Sequence, residues 1–220
     1  MIGRKHLSLI LGIDEAGKGP VIGNMFVAGV VIDKADIVKL KHLGVRDSKL
    51  LSQYMREAYY SVIKKVAKKI YVKEVGVEEI DRRNINKILA DKYVEIVKEA
   101  LRDFENIEEI VIDLPSMSPE KLKSRIRLLN FCGKIVTEHF ADKKYVVVSA
   151  ASIVAKVYRE KHIEALRRIY GDFGSGYPSD EKTISWIKEF YLKNGFLPNI
   201  VRKSWKTIKN IAPKEYVKKK

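Results

Sequence analysis

The chain has 220 residues, of which 46% are hydrophobic, and this length suits one sizeable domain or a domain with a smaller appendage. Its formal net charge is +15, and residues 199–220 carry eight Lys or Arg against a single Glu. This surplus favours a polyanionic partner, although a Lys-rich surface of the kind used by heat-adapted proteins is an equal alternative. One cysteine excludes an intrachain disulfide, and the sequence has neither a membrane-length apolar run nor a signal-peptide pattern, so we expect a cytoplasmic protein without membrane association. We also expect a monomer, although no sequence pattern bears on the oligomeric state.

Hydrophobic periodicity predicts alternating strands and helices along the chain. Residues 7–13 and 21–32 are rich in β-branched residues and flank a glycine turn, a pattern typical of an antiparallel hairpin. The later elements are predicted, in chain order, as a helix over 52–69, a strand over 70–75, a helix over 86–104, a strand over 109–113, a helix over 118–129, a strand over 134–138, and helices over 145–170, 180–194 and 203–211. We therefore expect an α/β fold, a mixed β-sheet flanked by helices, with a helical C-terminal appendage.

The segment LGIDEAGKGPV, residues 11–21, has the spacing of a phosphate-binding P-loop between Gly12 and Lys18. A P-loop needs a Ser or Thr after its Lys and then an amphipathic helix, but here Gly19 and Pro20 follow and the next segment is strand-like. Two carboxylates also stand where polyphosphate must approach. The pattern therefore indicates a different kind of site, in which acids stand beside a flexible glycine turn.

Four acidic residues lie at the ends of predicted elements: Asp14, Glu15, Asp113 and Asp142. Sites form at strand ends in sheets of this class, so we expect these acids to meet at one edge of the sheet. Carboxylates a few ångströms apart raise one another's pKa values and are compensated by protons or by cations. Because all the ligand atoms are oxygens, the expected cations are Mg²⁺ or Mn²⁺, and two of them over a phosphodiester support its hydrolysis.

Each acid also has a purely structural interpretation. Asp142 suits a helix N-cap, and Asp113 before a Leu-Pro pair suits the start of a turn. Asp14 and Glu15 are adjacent acids after an apolar strand and are costly unless something compensates them. A regular strand would point them to opposite faces, so a shared site requires a bend in the chain just after them.

Five features occur in order over nearly the whole chain: GIDEAGKGPVIG from Gly12, VRDSKLLS from Val45, the strand-end Asp113, Asp142 ten residues before Ser152 of SAASIVAKVYRE, and GSGYPSD from Gly174. Together they resemble ribonuclease HII, specifically its archaeal form. The resemblance implies a ribonuclease H-like sheet, with a catalytic domain over 1–170 and a C-terminal helical substrate-binding region over 171–220. The family's turn is usually Gly-Arg-Gly, whereas this chain has Gly17-Lys18-Gly19, so the planar guanidinium is lost while a backbone role is retained.

The resemblance implies a metal-dependent endoribonuclease that hydrolyses the phosphodiester on the 5′ side of ribonucleotides, in RNA–DNA hybrids or embedded in duplex DNA, and leaves a 3′-OH and a 5′-phosphate. The family's catalytic and metal-binding carboxylates fall on Asp14, Glu15, Asp113 and Asp142, with Mn²⁺ or Mg²⁺ in a two-metal mechanism. The family's substrate-binding positions fall on Gly17, Lys18, Gly19, Asp47, Ser48, Lys49, Lys156, Arg159 and Tyr177. The turn would read the ribose 2′-OH, because glycine lets backbone groups approach a sugar and only that hydroxyl distinguishes RNA from DNA.

Two interpretations from other classes compete with this one: a basic nucleic-acid-binding protein on the same fold whose acids bind no metal, and a P-loop nucleotide hydrolase. Tyr177 either packs on the sugar or holds down its own loop. In the basic tail, Arg202 and its neighbouring lysines suit contacts with phosphates, while Trp205 suits an anchor for the last helix. A replication clamp is a candidate partner, although the tail contains no motif that identifies it.

Overall fold

A computed structural model of the chain describes residues 8–42 and 51–219. Within these ranges the strands are β1 (Leu9–Ala16), β2 (Met25–Asp33), β3 (Lys69–Val75), β4 (Ile107–Asp113) and β5 (Lys134–Glu138). They form one sheet in the order β3-β2-β1-β4-β5. Strand β4 pairs in parallel with β1 on one side and with β5 on the other. The predicted mixed sheet is confirmed, and its first two strands are neighbours, as expected.

The helices of the described residues are α1 (Ile37–His42), α2 (Gln53–Val66), α3 (Val77–Arg82), α4 (Ile85–Asp103), α5 (Pro119–Arg127), α6 (Ala141–Lys144), α7 (Val146–Tyr170), α8 (Glu181–Asn194) and α9 (Lys206–Ile211). The longer ones confirm the periodicity predictions. Helices α1, α3 and α6 are absent from the sequence-based prediction, because each is too short for a helical period to register in its surroundings. No helix in the described ranges combines the length and the apolar composition that a membrane crossing requires.

Helix α7 packs directly on β1 at Gly12. A Cβ atom at Gly12 would lie 2.4 Å from the carbonyl oxygen of Val147, so no larger residue fits there. Small buried residues of the helix, among them Ser149, Ala151 and Ser152, permit the same close approach along its length. Because Gly12 is part of a strand, the P-loop interpretation of this segment is also excluded by the backbone conformation.

The described chain forms two compact units. Of the described residues, the first comprises 8–15, 27–42, 51–73 and 89–157, and the second comprises 16–26, 74–88 and 158–219. The second unit has an apolar core of its own, built around Ile22, Phe173 and Val201. Its members therefore include the end of α7 as well as the C-terminal segment, and the functional boundary expected at residue 170 stays a prediction.

Within the second unit, residues 21–23 pair with residues 200–202 and do not continue β2. Ile22 forms an antiparallel bridge with Val201, the Gly23 N–H donates to the carbonyl of Ile200 at 2.8 Å, and the Arg202 N–H donates to the carbonyl of Val21 at 2.8 Å. Gly23 has a φ of +86°, which breaks the strand predicted over 21–32. The observed β2 consequently begins at Met25.

Candidate active site

Three of the predicted acids lie together at one edge of the sheet, in the first unit. Ile13 of β1 pairs with Ile112 of β4, so the next residue of each strand, Asp14 and Asp113, is placed at the same end of two adjacent parallel strands. Asp14 is buried, with 4% of its surface exposed. Burial raises the pKa of Asp14 well above its ordinary value, and the charges of Glu15 and then of Asp113 raise it further. The carboxylates are therefore close enough to repel one another.

Hydrogen bonds orient the two acids of β1. The carboxylate of Asp14 accepts from the Glu15 N–H at 2.7 Å and interacts with the hydroxyl of Ser152 on α7. The carboxylate of Glu15 accepts a hydrogen bond from the hydroxyl of Tyr93 on α4. The Tyr93 hydroxyl also lies 3.5 Å from the backbone carbonyl oxygen of Asp113. Two helices thus supply the donors that hold these carboxylates in place.

Asp113 links its strand to the short helix that carries Asp142. One carboxylate oxygen of Asp113 accepts from the N–H of Ala141 at 2.9 Å, at the start of α6. The N-cap residue of α6 is Phe140, with a φ of 58° and no side-chain capping bond, so Asp113 satisfies a helix N–H in its place. Asp142 lies buried in the first turn of α6, and the interpretation of Asp142 as an N-cap is wrong. The reason is that this short helix, absent from the prediction, precedes α7.

The four acids match a hard divalent cation in the chemistry of their donors. These acids offer only oxygen ligands, and a bound cation would relieve the repulsion between Asp14 and its neighbours Glu15 and Asp113. Within residues 8–42 and 51–219, however, no three acidic, His or Cys side chains already converge closely enough to hold one ion. The residues therefore fit a metal by chemistry, and their side chains would have to draw together for three of them to share an ion.

The glycine turn lies in the second unit, against Arg159 and Tyr177. Gly17 has a φ of +91°, and a Cβ there would lie 3.0 Å from Cδ of Arg159. A Cβ at Gly19 would lie 3.5 Å from the Tyr177 ring, which is an ordinary contact. The Arg159 guanidinium lies 5.1 Å from the centre of that ring, and burial lowers the pKa of Arg159. These predicted substrate-binding residues are thus brought together around one turn, with half-buried Lys18 at its centre.

Tyr177 is held by an ordered loop. The Asp180 carboxylate accepts from the N–H groups of Ser175 at 2.6 Å and Lys182 at 3.0 Å. The Gly176 N–H donates to the hydroxyl of Thr183 at 3.0 Å. The Tyr177 side chain is nevertheless 39% exposed, so it is available to a ligand as well as to its neighbour Arg159.

The remaining predicted positions are placed differently. Lys156 is half-buried on α7 in the first unit. Asp47, Ser48 and Lys49 lie outside the described residues, and their assignment stays a prediction. Arg202 is fully buried, so the expectation that it grips phosphates from a helix is wrong, because α9 begins only at Lys206.

Sequence reasoning missed the supporting roles of Tyr93 and Ser152, which donate to or interact with the carboxylates of Glu15 and Asp14. Tyr93 and Ser152 occur on helix faces that the apolar pattern assigns to the core. A buried hydroxyl needs a hydrogen-bond partner, so a hydroxyl on an apolar helix face is the sequence signal that could have indicated an acceptor near each of them.

Comparison with known proteins identifies the family of the chain. The model of the ribonuclease HII family matches residues 11–208. A ribonuclease HII of Pyrococcus furiosus is 44% identical over 216 residues, which cover 94% of this chain and 93% of that protein. The crystal structure of ribonuclease H2 from Pyrococcus horikoshii OT3 has a TM-score of 0.85 at 39% identity and covers 94% of this chain and 98% of its own.

The ribonuclease HII in the PCNA:RNase HII complex from Archaeoglobus fulgidus has a TM-score of 0.81 at 42% identity, covering 92% of this chain and 96% of its own. These likenesses confirm the ribonuclease H-like fold and the resemblance carried by the sequence motifs. The chain belongs to the ribonuclease HII family and is an enzyme of that type.

Proposed function

We propose that the protein hydrolyses the phosphodiester on the 5′ side of ribonucleotides, both in RNA–DNA hybrids and within duplex DNA, and leaves a 3′-OH and a 5′-phosphate. The observation that carries the proposal is the repulsive grouping of Asp14, Glu15 and Asp113 at one sheet edge. Only Ala16 separates Glu15 from Gly17, so the main chain keeps these two residues within about 7 Å of each other.

Asp14, Glu15, Asp113 and Asp142 are the residues proposed to hold Mn²⁺ or Mg²⁺. When bound, these ions supply Lewis-acid stabilisation of the charge that develops on the phosphate, in the manner of two-metal sites. The protein's own contribution is to direct the carboxylates. Tyr93 donates to Glu15, the Ala141 N–H donates to Asp113, and Ser152 interacts with Asp14.

Recognition of the ribose is assigned to the backbone of Gly17, Lys18 and Gly19, with Tyr177 packing beside the sugar. An exposed glycine at position 19 supports this, because a Cβ there would obstruct a sugar approaching the turn. Arg159 supports Tyr177 through its contact with the ring. Lys156 and the segment 47–49 are proposed to contact the substrate backbone, and the basic segment 171–220 to bind the duplex.

The partners and location belong to the same proposal. The relative from Archaeoglobus fulgidus was solved in complex with PCNA, and we extend a sliding-clamp interaction to this chain. We also propose that the protein acts as a monomer in the cytoplasm, without membrane association, and removes ribonucleotides during DNA replication and repair.

The test is a labelled DNA duplex that carries one ribonucleotide, incubated with Mn²⁺ or Mg²⁺ and, separately, with a chelator. Asp14→Asn is the test variant, and Asp103→Asn is the control. Asp103 lies outside the acid cluster and also accepts hydrogen bonds, from Lys69 and Tyr71. We expect a metal-dependent nick on the 5′ side of the ribonucleotide by the wild type and by the control, and none by Asp14→Asn. Absence of that nick in the wild type would contradict the proposal, and binding without cleavage would favour the nucleic-acid-binding alternative.

A further inference from the structure

Arg202 is fully buried in the second unit and is bound by backbone carbonyls. Its guanidinium donates to the carbonyl oxygens of Gly17 at 2.7 Å, Lys18 at 3.1 Å and Gly23 at 2.8 Å. Burial and then the charge of Arg159 lower the pKa of Arg202 to about 9, which leaves it protonated near neutral pH. A buried cation is costly unless its donors are satisfied, so these three bonds hold the charge and the turn together.

Trp205 completes the same arrangement. Its indole N–H donates to the carbonyl oxygen of Gly19 at 3.0 Å, and its ring lies 4.9 Å from the Arg202 guanidinium. The carbonyls of all three residues of the turn, Gly17, Lys18 and Gly19, are therefore bound by two side chains of one short segment. We call Arg202 and Trp205 the carbonyl clamp.

Within the carbonyl clamp, Arg202 determines where two N–H groups of the turn point, whereas Trp205 fixes the carbonyl of Gly19, which precedes Pro20 and directs no N–H. In a trans peptide the carbonyl and the following N–H point in opposite directions, so carbonyls of Gly17 and Lys18 directed at Arg202 turn the N–H groups of Lys18 and Gly19 away from it. Within the part of the chain that the structure describes, neither of these N–H groups donates a hydrogen bond to another residue. Two consecutive backbone donors are thus presented to a ligand.

We propose that Arg202 and Trp205 are positioning residues that fix the turn so that the N–H groups of Lys18 and Gly19 meet the 2′-oxygen of a ribonucleotide. The inference rests on the proposed function, which supplies the ribonucleotide. Arg is required at position 202 because its planar fork reaches three carbonyls at once, whereas the ammonium of Lys is a single compact donor centre.

The experiment compares Arg202→Lys and Trp205→Phe with Trp186→Phe. Trp186 is a matched control: its indole N–H donates to the carbonyl of Tyr170 at 3.2 Å, and it packs against the same apolar core as Trp205. Affinities are measured in chelator for a duplex with one ribonucleotide and for the all-DNA duplex of the same sequence. Their ratio, the ribose preference, is insensitive to partial unfolding, because both duplexes report the same folded fraction.

We expect the ribose preference to fall about fivefold in Trp205→Phe and further in Arg202→Lys, since one lost hydrogen bond is worth about 1 kcal/mol. Trp186→Phe retains the wild-type preference. NMR order parameters of the Lys18 and Gly19 amides provide a second readout: they fall in Arg202→Lys and Trp205→Phe and keep their wild-type values in the control. The proposal is overturned if both clamp variants keep the wild-type preference and the wild-type order parameters of these amides.

Failure of the proposed function has a different signature. In that case the wild type itself shows no ribose preference and no nick. The order parameters then test the carbonyl clamp by themselves, and unchanged values for the Lys18 and Gly19 amides in Arg202→Lys overturn it.

Discussion

The hydroxyl of Tyr93 donates a hydrogen bond to the carboxylate of Glu15 and lies 3.5 Å from the backbone carbonyl oxygen of Asp113. Tyr93 is fully buried on α4. Burial and then the charge of Glu15 raise the pKa of Tyr93, so the hydroxyl keeps its proton and remains a donor. One side chain thereby connects a helix to the ends of both strands that carry the acids.

Replacing Tyr93 with Phe removes this donor and leaves the ring in place. We expect kcat to fall about tenfold or more, because a hydrogen bond to a charged group is worth about 1.5–3 kcal/mol, while affinity for the duplex changes little. Tyr71→Phe is the control, since its hydroxyl donates to Asp103 at 2.7 Å, outside the acid cluster. Steady-state kinetics on the ribonucleotide duplex measure both effects. An equal loss of kcat in the two variants would show that Tyr93 serves stability alone.

Asp14→Asn tests whether the acids hold metal. Without divalent ions we expect the variant to unfold at a higher temperature than the wild type, because a neutral amide removes repulsion from Glu15 and Asp113. Mn²⁺ at about 100 times its Kd stabilises the wild type by about 2.7 kcal/mol, and the variant loses most of this gain. Calorimetry with and without Mn²⁺ measures the difference. An unchanged metal response in Asp14→Asn would remove Asp14 from the ligand set.

We expect the contribution of Asp180 to the free energy of unfolding to depend on pH in the acid range. Hydrogen bonds from Ser175, first of all its backbone N–H, lower the pKa of Asp180 from 3.8 to about 2. Because the folded-state value lies below the unfolded one, the stabilisation is fully present above about pH 4 and is lost as the pH falls toward about 2. Asp180→Asn should therefore be less stable than the wild type at pH 7, and the gap should close between about pH 4 and pH 2. Denaturant unfolding across this pH range measures the difference in stability between Asp180→Asn and the wild type. A difference that does not change with pH would contradict the lowered pKa of Asp180.

Gly12→Ala tests the close approach of α7 to β1. The added Cβ would lie 2.4 Å from the carbonyl oxygen of Val147, so strand and helix must separate. We expect a loss of about 2–3 kcal/mol in the free energy of unfolding, as for overpacked cores. Gly76→Ala is the control, because nothing lies within 4 Å of its Cβ position and its φ of −70° suits any residue. The control should stay within about 1 kcal/mol of the wild type. Equal stability of Gly12→Ala and the wild type would mean that β1 and α7 separate at this contact without a measurable energetic cost.

Lys18→Ala separates the side chain of the turn from its backbone. Arg202 of the carbonyl clamp binds the backbone carbonyl of Lys18, and an Ala at position 18 keeps that carbonyl, so the ribose preference should stay unchanged. The lost cation should weaken binding to ribonucleotide and all-DNA duplexes alike and reduce the slope of log affinity against log salt by about one. Titrations at several salt concentrations measure both quantities. A selective loss of affinity for the ribonucleotide duplex would assign ribose recognition to the Lys18 side chain.

The sequence by itself determined the elements whose signals are local. Strand β5 has the predicted bounds, and α5 begins at Pro119 after Ser118, whose side chain accepts from the N–H of Lys121 as its capping pattern indicated. Periodicity and capping depend on residues within a few positions of one another, so they are readable without a structure. The same local logic placed Asp14, Glu15 and Asp113 at strand ends.

Only the tertiary structure decided which distant groups support those residues. Tyr93 lies 78 positions from Glu15, and Arg202 lies 185 positions from Gly17, yet each forms a direct hydrogen bond. Local sequence assigns Tyr93 to an apolar helix face and Arg202 to a basic tail. Nothing in the residues next to them indicates the distant groups to which they donate hydrogen bonds. Chain folding removes Arg202 from water and sets it against the glycine turn, because a buried charge requires acceptors and the carbonyls of Gly17, Lys18 and Gly23 provide them.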